Sequence, residues 1–548
     1  MCNENLEICI IDSGVNEAGL QIGRLSTNVE ITGALRIRKR PRYDSHTVSH
    51  ATVCAAIIRK YAPDAPLHSI KILNGRHKST IGQLKAALLW CLDNNIKIIH
   101  MSIGSVIYGD FAEIKRLADT ACRQGAVIVA ACNNNGRLTY PAALDNVIGV
   151  KCDRSGRLQE GEYIYNGAGF DGAEITACGR HSLLTPGGKS FEPVCANSYA
   201  APLITALVYN IVKENPGTDL AGIRAALRRG AVEGPGSPYI GVLSRYTGWI
   251  KNALIADFGD NGKSLENIRV PFTISGSIKG ESSTDGDTWA GKGRLLEQTD
   301  TVILLPPDCR SNPTEKGITD FLREAVRLNK NVVCLGENYM DVIAGDIGEQ
   351  QNIRIWCPDI YDSFNYKEYL KKDIEVPVIM LYADSQHMQV ELLQKLTDAF
   401  CRDGYYSIGI SDSALGVPAG LEYLCAGYRE RGCKELLQAF YNLHDPDIML
   451  VGISGESGFA AAADEIKPDI KLVLADGNGV SCEDVASREV YIIPEDTPVS
   501  KCMESTAVFN YAKGEGIEEI YKCILSILDA YDEPVENETT AAIASGRG

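Results

Sequence analysis

Apolar and polar positions alternate in blocks through the first 235 residues, and the blocks predict an α/β order. Leu6 to Ile11 is an apolar run broken only by Glu7, and it ends in Asp12-Ser13-Gly14-Val15. A polar, Arg-rich stretch follows, with Arg36 to Arg42 expected as a solvated loop. Small residues then follow His50, in His50-Ala51-Thr52-Val53-Cys54-Ala55-Ala56-Ile57-Ile58, and predict a closely packed helix starting near that histidine. Strands are predicted over Ile70–Leu73, Ile96–Ile103, Ala126–Ala131 and Asn146–Val150. Between them, Thr80–Asn94 is an amphipathic helix with Leu84, Ala87, Leu88 and Cys91 on one face, and Phe111–Gln124 is a helix stopped by Gly125. The stretch Ala196 to Pro202, A-N-S-Y-A-A-P, leads into Leu203, Ile204, Ala206, Leu207 and Val208, which places Ser198 at a loop-to-helix junction. A helix over Glu214–Gly230 closes the pattern, which as a whole describes a mostly parallel sheet with helices on both faces.

Gly234 to Tyr239 is rich in Gly, Pro and Ser and marks a boundary. From Ala253 a second α/β pattern begins. Thr301–Leu305, the helix Gly317–Leu328 and Asn331–Leu335 make a β-α-β unit, and Pro358–Lys372 reads as a loop and linker helix. Pro377–Tyr382 is a strand that runs into the loop Asp384 to Met388 and a helix through Phe400. Asp447–Ile453 is another, followed by Ser454-Gly455-Glu456-Ser457-Gly458. Lys471–Leu474 and Val490–Ile493 are strands, Ile517–Tyr531 is a helix, and Glu533–Gly548 is a polar tail expected to be disordered. The domains expected are therefore 1–240, a Rossmann-like lobe over 251–375, a degenerate P-loop-like lobe over 376–532 and the tail over 533–548. The loop at 384–388 has the strand-loop-helix setting of a phosphate site but lacks the glycines and the Lys-Ser/Thr ending that cradle phosphate.

Composition narrows the function classes. A net charge of -17 argues against nucleic acid as the main partner, since phosphate binding needs clustered Lys and Arg. No stretch approaches the roughly 20 apolar residues of a membrane span, and Met1–Glu7 carries acids without a basic-then-apolar export pattern, so a cytoplasmic protein is expected. The 18 cysteines are scattered, with no C-x-x-C pair and no Cys/His metal spacing, and read as reduced thiols. No metal or cofactor is assigned.

Chemistry-bearing residues stand in a definite order. Asp12 ends an apolar strand, where open α/β sheets place their sites. His50 starts the small-residue helix, and Ser198 precedes a helix N-terminus that favours developing negative charge. Asp12 in I-I-D-S-G-V, His50 in H-A-T-V-C-A-A-I-I, Ser102-Ile103-Gly104 in M-S-I-G-S, Asn133 in A-A-C-N-N-N-G and Ser198 in A-N-S-Y-A-A-P together resemble the subtilisin-like serine proteases, over residues 6 to 235. The resemblance implies a three-layer αβα domain and a serine endopeptidase: Ser198 as nucleophile, His50 as base, Asp12 orienting it, and Asn133 with the Ser198 amide as oxyanion donors. It further implies that Ser102, Ile103 and Gly104 pair with extended substrate and that Ala130, Ala131 and Cys132 wall the pocket for the residue before the cut.

Several positions depart from that family's pattern. Ala196 and Asn197 stand where Gly and Thr are usual, and Ala201 where Thr is usual. Cys132 replaces a glycine and is expected to narrow the pocket to a small side chain. His46 competes with His50 as base, but only His50 has the small-residue helix behind it. The triple Asn leaves Asn133 and Asn134 as alternatives for the oxyanion donor. Cys54, Cys132 and Cys195 flank the catalytic stretches and are expected as buried structural thiols. Eleven residues precede Asp12, too few for an inhibitory pro-segment, so restraint is expected from another source.

Residues 251–531 resemble clostridial peptide-maturation proteins, encoded beside enzymes that modify ribosomal peptides, in Asp300–Leu305, Pro377–Tyr382 and Pro446–Gly455. This implies a module that holds a precursor peptide or a peptide-modifying enzyme. The expected function is a cytoplasmic endopeptidase acting on a peptide or protein substrate, a ribosomally made precursor in particular. Two competitors stand beside it: a protease-fold module that binds such a precursor without cutting it, and a nucleotide-driven maturation enzyme using the loop at 384–388.

Overall fold

The computed structural model describes residues 6–40, 48–166, 171–232, 242–243, 248–259, 268–279, 293–307, 312–340, 353–363, 365–383, 385–425, 432–474, 489–494, 507–511 and 516–532, with residues 265 and 343. The alternative base His46, the boundary stretch 234–239, residue 384 and the tail 533–548 lie outside them. The chain forms two compact units, one of residues 1–264, 270–372 and 438–445, the other of 265–269, 373–437 and 446–548.

In the first unit everything is built around β1 (Ile8–Asp12), whose five residues are all buried. A strand covered on both faces needs apolar side chains in both phases of its two-residue period. Ile8 and Ile10 accordingly join one core cluster, while Cys9 and Ile11 join another. The first cluster is shared with the helices α1 (His50–Tyr61), α4 (Asn197–Glu214) and α5 (Leu220–Gly230). The second takes in α2 (Ile81–Asp93) and α3 (Phe111–Arg123). Three layers result, a sheet with helices on each face. Each fully buried isoleucine of β1 contributes roughly 1.5–3 kcal/mol.

Besides β1 the sheet contains β2 (Thr27–Ile31), β3 (Ile37–Lys39), β4 (Leu67–Lys71), β5 (Ile98–Met101), β6 (Val127–Ala131), β7 (Val147–Cys152), β8 (Tyr163–Tyr165) and β9 (Ile175–Ala177). Its order is β3-β2-β4-β1-β5-β6-β7-β9-β8. The inner pairs are parallel, and the edge pairs β2–β3 and β8–β9 are antiparallel. A parallel sheet aligns its carboxyl ends, so the residues leaving β1, β5 and β6 emerge side by side. Among the described residues no helix is long and apolar enough to cross a membrane.

Three readings of this unit need correction. The Arg-rich stretch is not simply a solvated loop. Ile37–Lys39 is an exposed edge strand, and Arg40 is buried at 9% exposure, donating from Nη1 to the Val15 carbonyl at 3.1 Å and to Asn28 Oδ1 at 3.0 Å. The helix expected over Glu214–Gly230 is two elements, because Asn215-Pro216-Gly217 breaks the chain and Asp219 caps a new start by accepting from Gly222 N at 2.9 Å. The linker helix over 358–372 is a pair of 3-10 turns, Pro358–Ser363 and Tyr366–Tyr369.

Within the same unit, a six-stranded sheet runs over 242–356 in the order 242–243, 354–356, 331–334, 301–305, 252–257, 273–279. Its pairings are all parallel. The second unit holds a seven-stranded sheet, also parallel, with 378–383 between 448–453 and 470–474.

Candidate active site

Asp12 is the last residue of β1 and is fully buried. One carboxylate oxygen accepts the Ser13 amide, and the other accepts His50 Nδ1 at 2.9 Å. The imidazole is held from its own side as well. Ser49 caps α1, its Oγ accepting Thr52 N at 3.1 Å and donating to the Gly14 carbonyl at 2.6 Å, so His50 is the first helical residue. Gly14 has φ +87°, and a Cβ there would lie 2.2 Å from the Arg40 guanidinium, so the turn after Asp12 requires glycine. Burial opposes the imidazolium of His50, but the hydrogen bond and charge of Asp12 outweigh it, and its pKa is raised above the ordinary 6.5. The side chain of His50 keeps 22% of its exposure, which leaves the ring open to a reacting group.

Ser198 is the second residue of α4, at a helix end whose first amides have no intrahelical partner. The start of α4 lies against α1. The Tyr199 ring sits 5.2 Å from that of His50 between centroids, and the Cys54 thiol reaches the Ser198 carbonyl at 3.4 Å. Asp12, His50 and the Ser198 turn thus share one corner at the carboxyl edge of the sheet. A large groove lined by Pro66, Lys97, Val127 and Arg354 opens at the opposite, amino edge, away from these groups.

The loop after β6 separates the roles of the asparagines. Asn133 Oδ1 accepts Asn135 N at 2.7 Å, which leaves its Nδ2 as a donor. Asn134 Oδ1 instead accepts Asn197 N at 3.1 Å, replacing the cap that Ala196 cannot supply. Asn197, noted in the sequence only as a departure, is buried at 4% exposure and ties three segments together. Its Oδ1 accepts Cys152 N at 2.9 Å, and its Nδ2 donates to the carbonyls of Cys132 at 3.1 Å and Asn133 at 3.0 Å. The helix that carries Ser198 and the loop after β6 are therefore joined through one side chain. No local pattern marks that role, since all three partners are distant in sequence or reached through backbone atoms.

Ser102, Ile103 and Gly104 leave β5 next to Ala131 and Cys132 leaving β6, in a register that pairs Met101 with Ala130. These are two adjacent walls. The Ser102 hydroxyl is already committed, donating to the Ser198 carbonyl at 2.9 Å. Gly104 faces Thr139: a Cβ there would lie 2.3 Å from Thr139 Cγ2 and 2.8 Å from the Tyr140 carbonyl oxygen. Ala130, Ala131 and Cys132 are buried at 0%, 6% and 7% exposure. Burial raises the thiol pKa of Cys132, and of Cys54 together with the Asp12 charge, so both stay protonated. Cys195 departs from the expectation of a buried thiol: it is exposed, because the segment before α4 runs along the surface.

The carboxylate of Asp12, the imidazole of His50 and the thiol of Cys54 have ligand atoms within 4.8 Å of one another, close enough for a soft cation. The His50 nitrogen nearest Asp12 is engaged on it, and the thiol is held neutral, so the set as it stands is an acid-imidazole pair beside a buried thiol.

A parallel sheet that presents a buried carboxylate, an oriented imidazole and a serine at a helix N-terminus has the ordering of a serine peptidase. Residues 3–259, just under half of the chain, match Peptidase_S8, the Subtilase family, so this part of the chain is similar to the subtilisin-like serine peptidases. The chain is 24% identical over 252 residues to subtilisin DY of Bacillus licheniformis, which spans 43% of this chain and 87% of that protein. It is 23% identical over 242 residues to the minor extracellular protease Epr of Bacillus subtilis, spanning 42% of this chain and 36% of that one. A crystal structure of a lanthipeptide protease aligns over 43% of this chain and 84% of its own, at 16% identity and a TM-score of 0.34.

Proposed function

We propose that the chain is a serine endopeptidase with Ser198 as nucleophile, His50 as general base, Asp12 as the group that orients it, and Asn133 as an oxyanion donor. The observation that carries this reading is the 2.9 Å hydrogen bond from His50 Nδ1 to buried Asp12. With Nδ1–H committed to the carboxylate, the lone pair of neutral imidazole lies on Nε2, which takes the proton as Ser198 Oγ bonds to the peptide carbonyl carbon. The carboxylate then stabilises the imidazolium. The tetrahedral oxyanion receives the Ser198 amide and Asn133 Nδ2, the latter contact worth about 3 kcal/mol. Collapse expels the amine, which takes its proton from His50. Water then repeats the sequence on the acyl-serine and frees the enzyme.

Two walls, Ser102–Gly104 and Ala130–Cys132, bind the substrate as an added strand with a narrow pocket between them. Thr139 against Gly104 and the Cys132 side chain both favour a small residue before the cut. The substrate is a ribosomally made precursor peptide cut in the cytoplasm, with residues 251–532 presenting it and a peptide-modifying enzyme as partner. That part rests on the resemblance of 251–531 to peptide-maturation proteins and on the fusion of a peptidase domain to a region without recognised catalysis.

Fluorophosphonate labelling and peptide cleavage test the chemistry, with Ser198→Ala expected to lose the label and to reduce turnover on the order of 10⁵-fold. Equal labelling of wild type and variant would remove Ser198. A peptide library read by mass spectrometry is expected to show cuts after Gly, Ala or Ser. Cuts mainly after Phe or Leu would sink the narrow-pocket reading.

A further inference from the structure

Pro202 sits inside α4, four residues after Ser198. In a helix the carbonyl of Ser198 would accept the amide of residue 202, and proline has none. The missing donor comes from elsewhere in the fold: the Ser102 hydroxyl at 2.9 Å and, more weakly, the Cys54 thiol at 3.4 Å. Ser102 is in turn held by His100, whose Nε2 lies 2.9 Å from its Oγ. The other ring nitrogen, Nδ1, lies 2.8 Å from Thr205 Oγ1, which returns to α4 one turn beyond Pro202. His100 and Thr205 are both fully buried.

The protons can be placed. Ser102 has one, and the carbonyl that lacks a helical donor takes it, since the thiol is the poorer donor. Ser102 Oγ therefore accepts Nε2–H of His100. Burial holds His100 down to about 4, so the ring is neutral and Nδ1 accepts from the Thr205 hydroxyl. The Thr205 Oγ1 contact with the Ala201 carbonyl at 3.0 Å competes for the same proton, but that carbonyl keeps its helical amide partner. The chain runs Thr205 to His100 to Ser102 to the Ser198 carbonyl.

We propose that His100 is a positioning residue for the nucleophile: it holds the Ser102 hydroxyl in place of the helical hydrogen bond that Pro202 removes, and so fixes the first turn of α4 against His50. The proposal rests on Ser198 being the nucleophile. It assigns His100 no contact with substrate. A neutral buried ring keeps the direction of the chain unchanged across the range in which His50 titrates.

The test compares His100→Leu, His100→Gln and Thr205→Val with wild type for fluorophosphonate labelling rate, kcat and KM on one peptide. Loss of the donor to Ser102 in His100→Leu is expected to lower labelling rate and kcat about tenfold or more, with KM within about twofold. His100→Gln, whose amide nitrogen can still reach Ser102, is expected to recover most of that loss, and Thr205→Val to show a smaller loss of kcat. Unchanged kcat in a folded His100→Leu, or Gln no better than Leu, overturns the relay and leaves packing alone. If the Leu variant does not fold, the Gln and Val variants decide: full activity in both overturns the proposal, whereas a kcat loss at unchanged KM in Thr205→Val supports it. A wild type that neither labels nor cleaves removes the nucleophile reading itself, and the relay with it. An active wild type beside an unchanged Leu variant removes the relay alone.

Discussion

Two parallel sheets in this chain end in polar clusters, and the clusters differ in what they leave unsatisfied. At the edge of the first, the Asp12 carboxylate meets a half-buried imidazole, and Ser198 lies in the first turn of a helix where the amides on either side of its own, Asn197 N and Tyr199 N, are bonded to Asn134 Oδ1 and the Ala196 carbonyl. In the second unit, Asp412 follows strand Ser407–Ser411. Its carboxylate accepts the Ser454 amide at 2.8 Å, the Ser454 hydroxyl at 3.0 Å and Gln389 Nε2 at 3.2 Å. Gln389 is fully buried, and its Oε1 accepts Ser411 Oγ at 2.6 Å. A Cβ at Gly452 would lie 2.8 Å from that side chain, so the strand packs tightly against it. These groups close on one another. Position at the carboxyl ends of a sheet is thus shared by both clusters, whereas an open imidazole with a raised pKa belongs to the first.

The sharpest way to break this comparison is Asp12→Asn. Losing the charge and the tautomer control is expected to lower kcat on the order of 10⁴-fold, while Asp412→Asn leaves cleavage within about twofold. Comparable losses in both would put the second cluster into the chemistry. Next in size is the split between neighbouring asparagines. Asn133→Ala is expected to cost about 10²–10³ in kcat with KM nearly constant. Asn134→Ala, which removes a helix cap, is expected mainly to destabilise, by about 1 kcal/mol in denaturant titration. A reversed pattern would move the oxyanion role to Asn134.

The pH profile is a finer probe. General-base catalysis needs neutral His50, and its pKa is raised, so kcat/KM should fall with decreasing pH along a limb whose midpoint lies above 6.5. The stability linkage has the opposite sense: the imidazolium-Asp12 pair adds stability below the unfolded pKa, and this is lost as pH rises through the raised folded one. A limb centred below 6.5 would contradict the Asp12 pairing. A control away from either cluster is the buried pair Arg224–Glu174, at 2.8 Å with 6% and 10% side-chain exposure. Arg224→Ala is expected to destabilise by about 3 kcal/mol while labelling of Ser198 in the folded protein stays unchanged. Smallest of all is nucleotide binding to the second unit. With Asp412, Ser454, Gln389 and Ser411 closed on one another, calorimetry at millimolar ATP or GTP should show no heat of binding, and a measurable affinity would reopen that sheet as a site.

Comparing sequence and structure, the strands of the inner sheet were readable because burial on both faces demands unbroken apolar runs, as in Ile8–Ile11 and Val127–Ala131. The edge strands Ile37–Lys39, exposed throughout, and Tyr163–Tyr165, with both tyrosines buried, were not, since three residues are too few to carry a detectable period. Arg40 shows the same limit: in a run of arginines and lysines, nothing local says which one turns inward to the Val15 carbonyl.

What the sequence determined by itself is the alternation of buried strands with helices, and the order in which Asp12, His50 and Ser198 follow one another along it. Both depend on properties local to a few residues: hydrophobic period, small side chains and chain-breaking glycines. Only the tertiary structure decided that Asn134 caps the helix while Asn133 keeps a free donor, that Asn197 joins three segments, and that His100 reaches Ser198 through Ser102. Those assignments depend on which partner a polar atom meets once water is excluded, and the partners lie up to about a hundred residues away along the chain, as with Ser102 and Ser198, separated by 96.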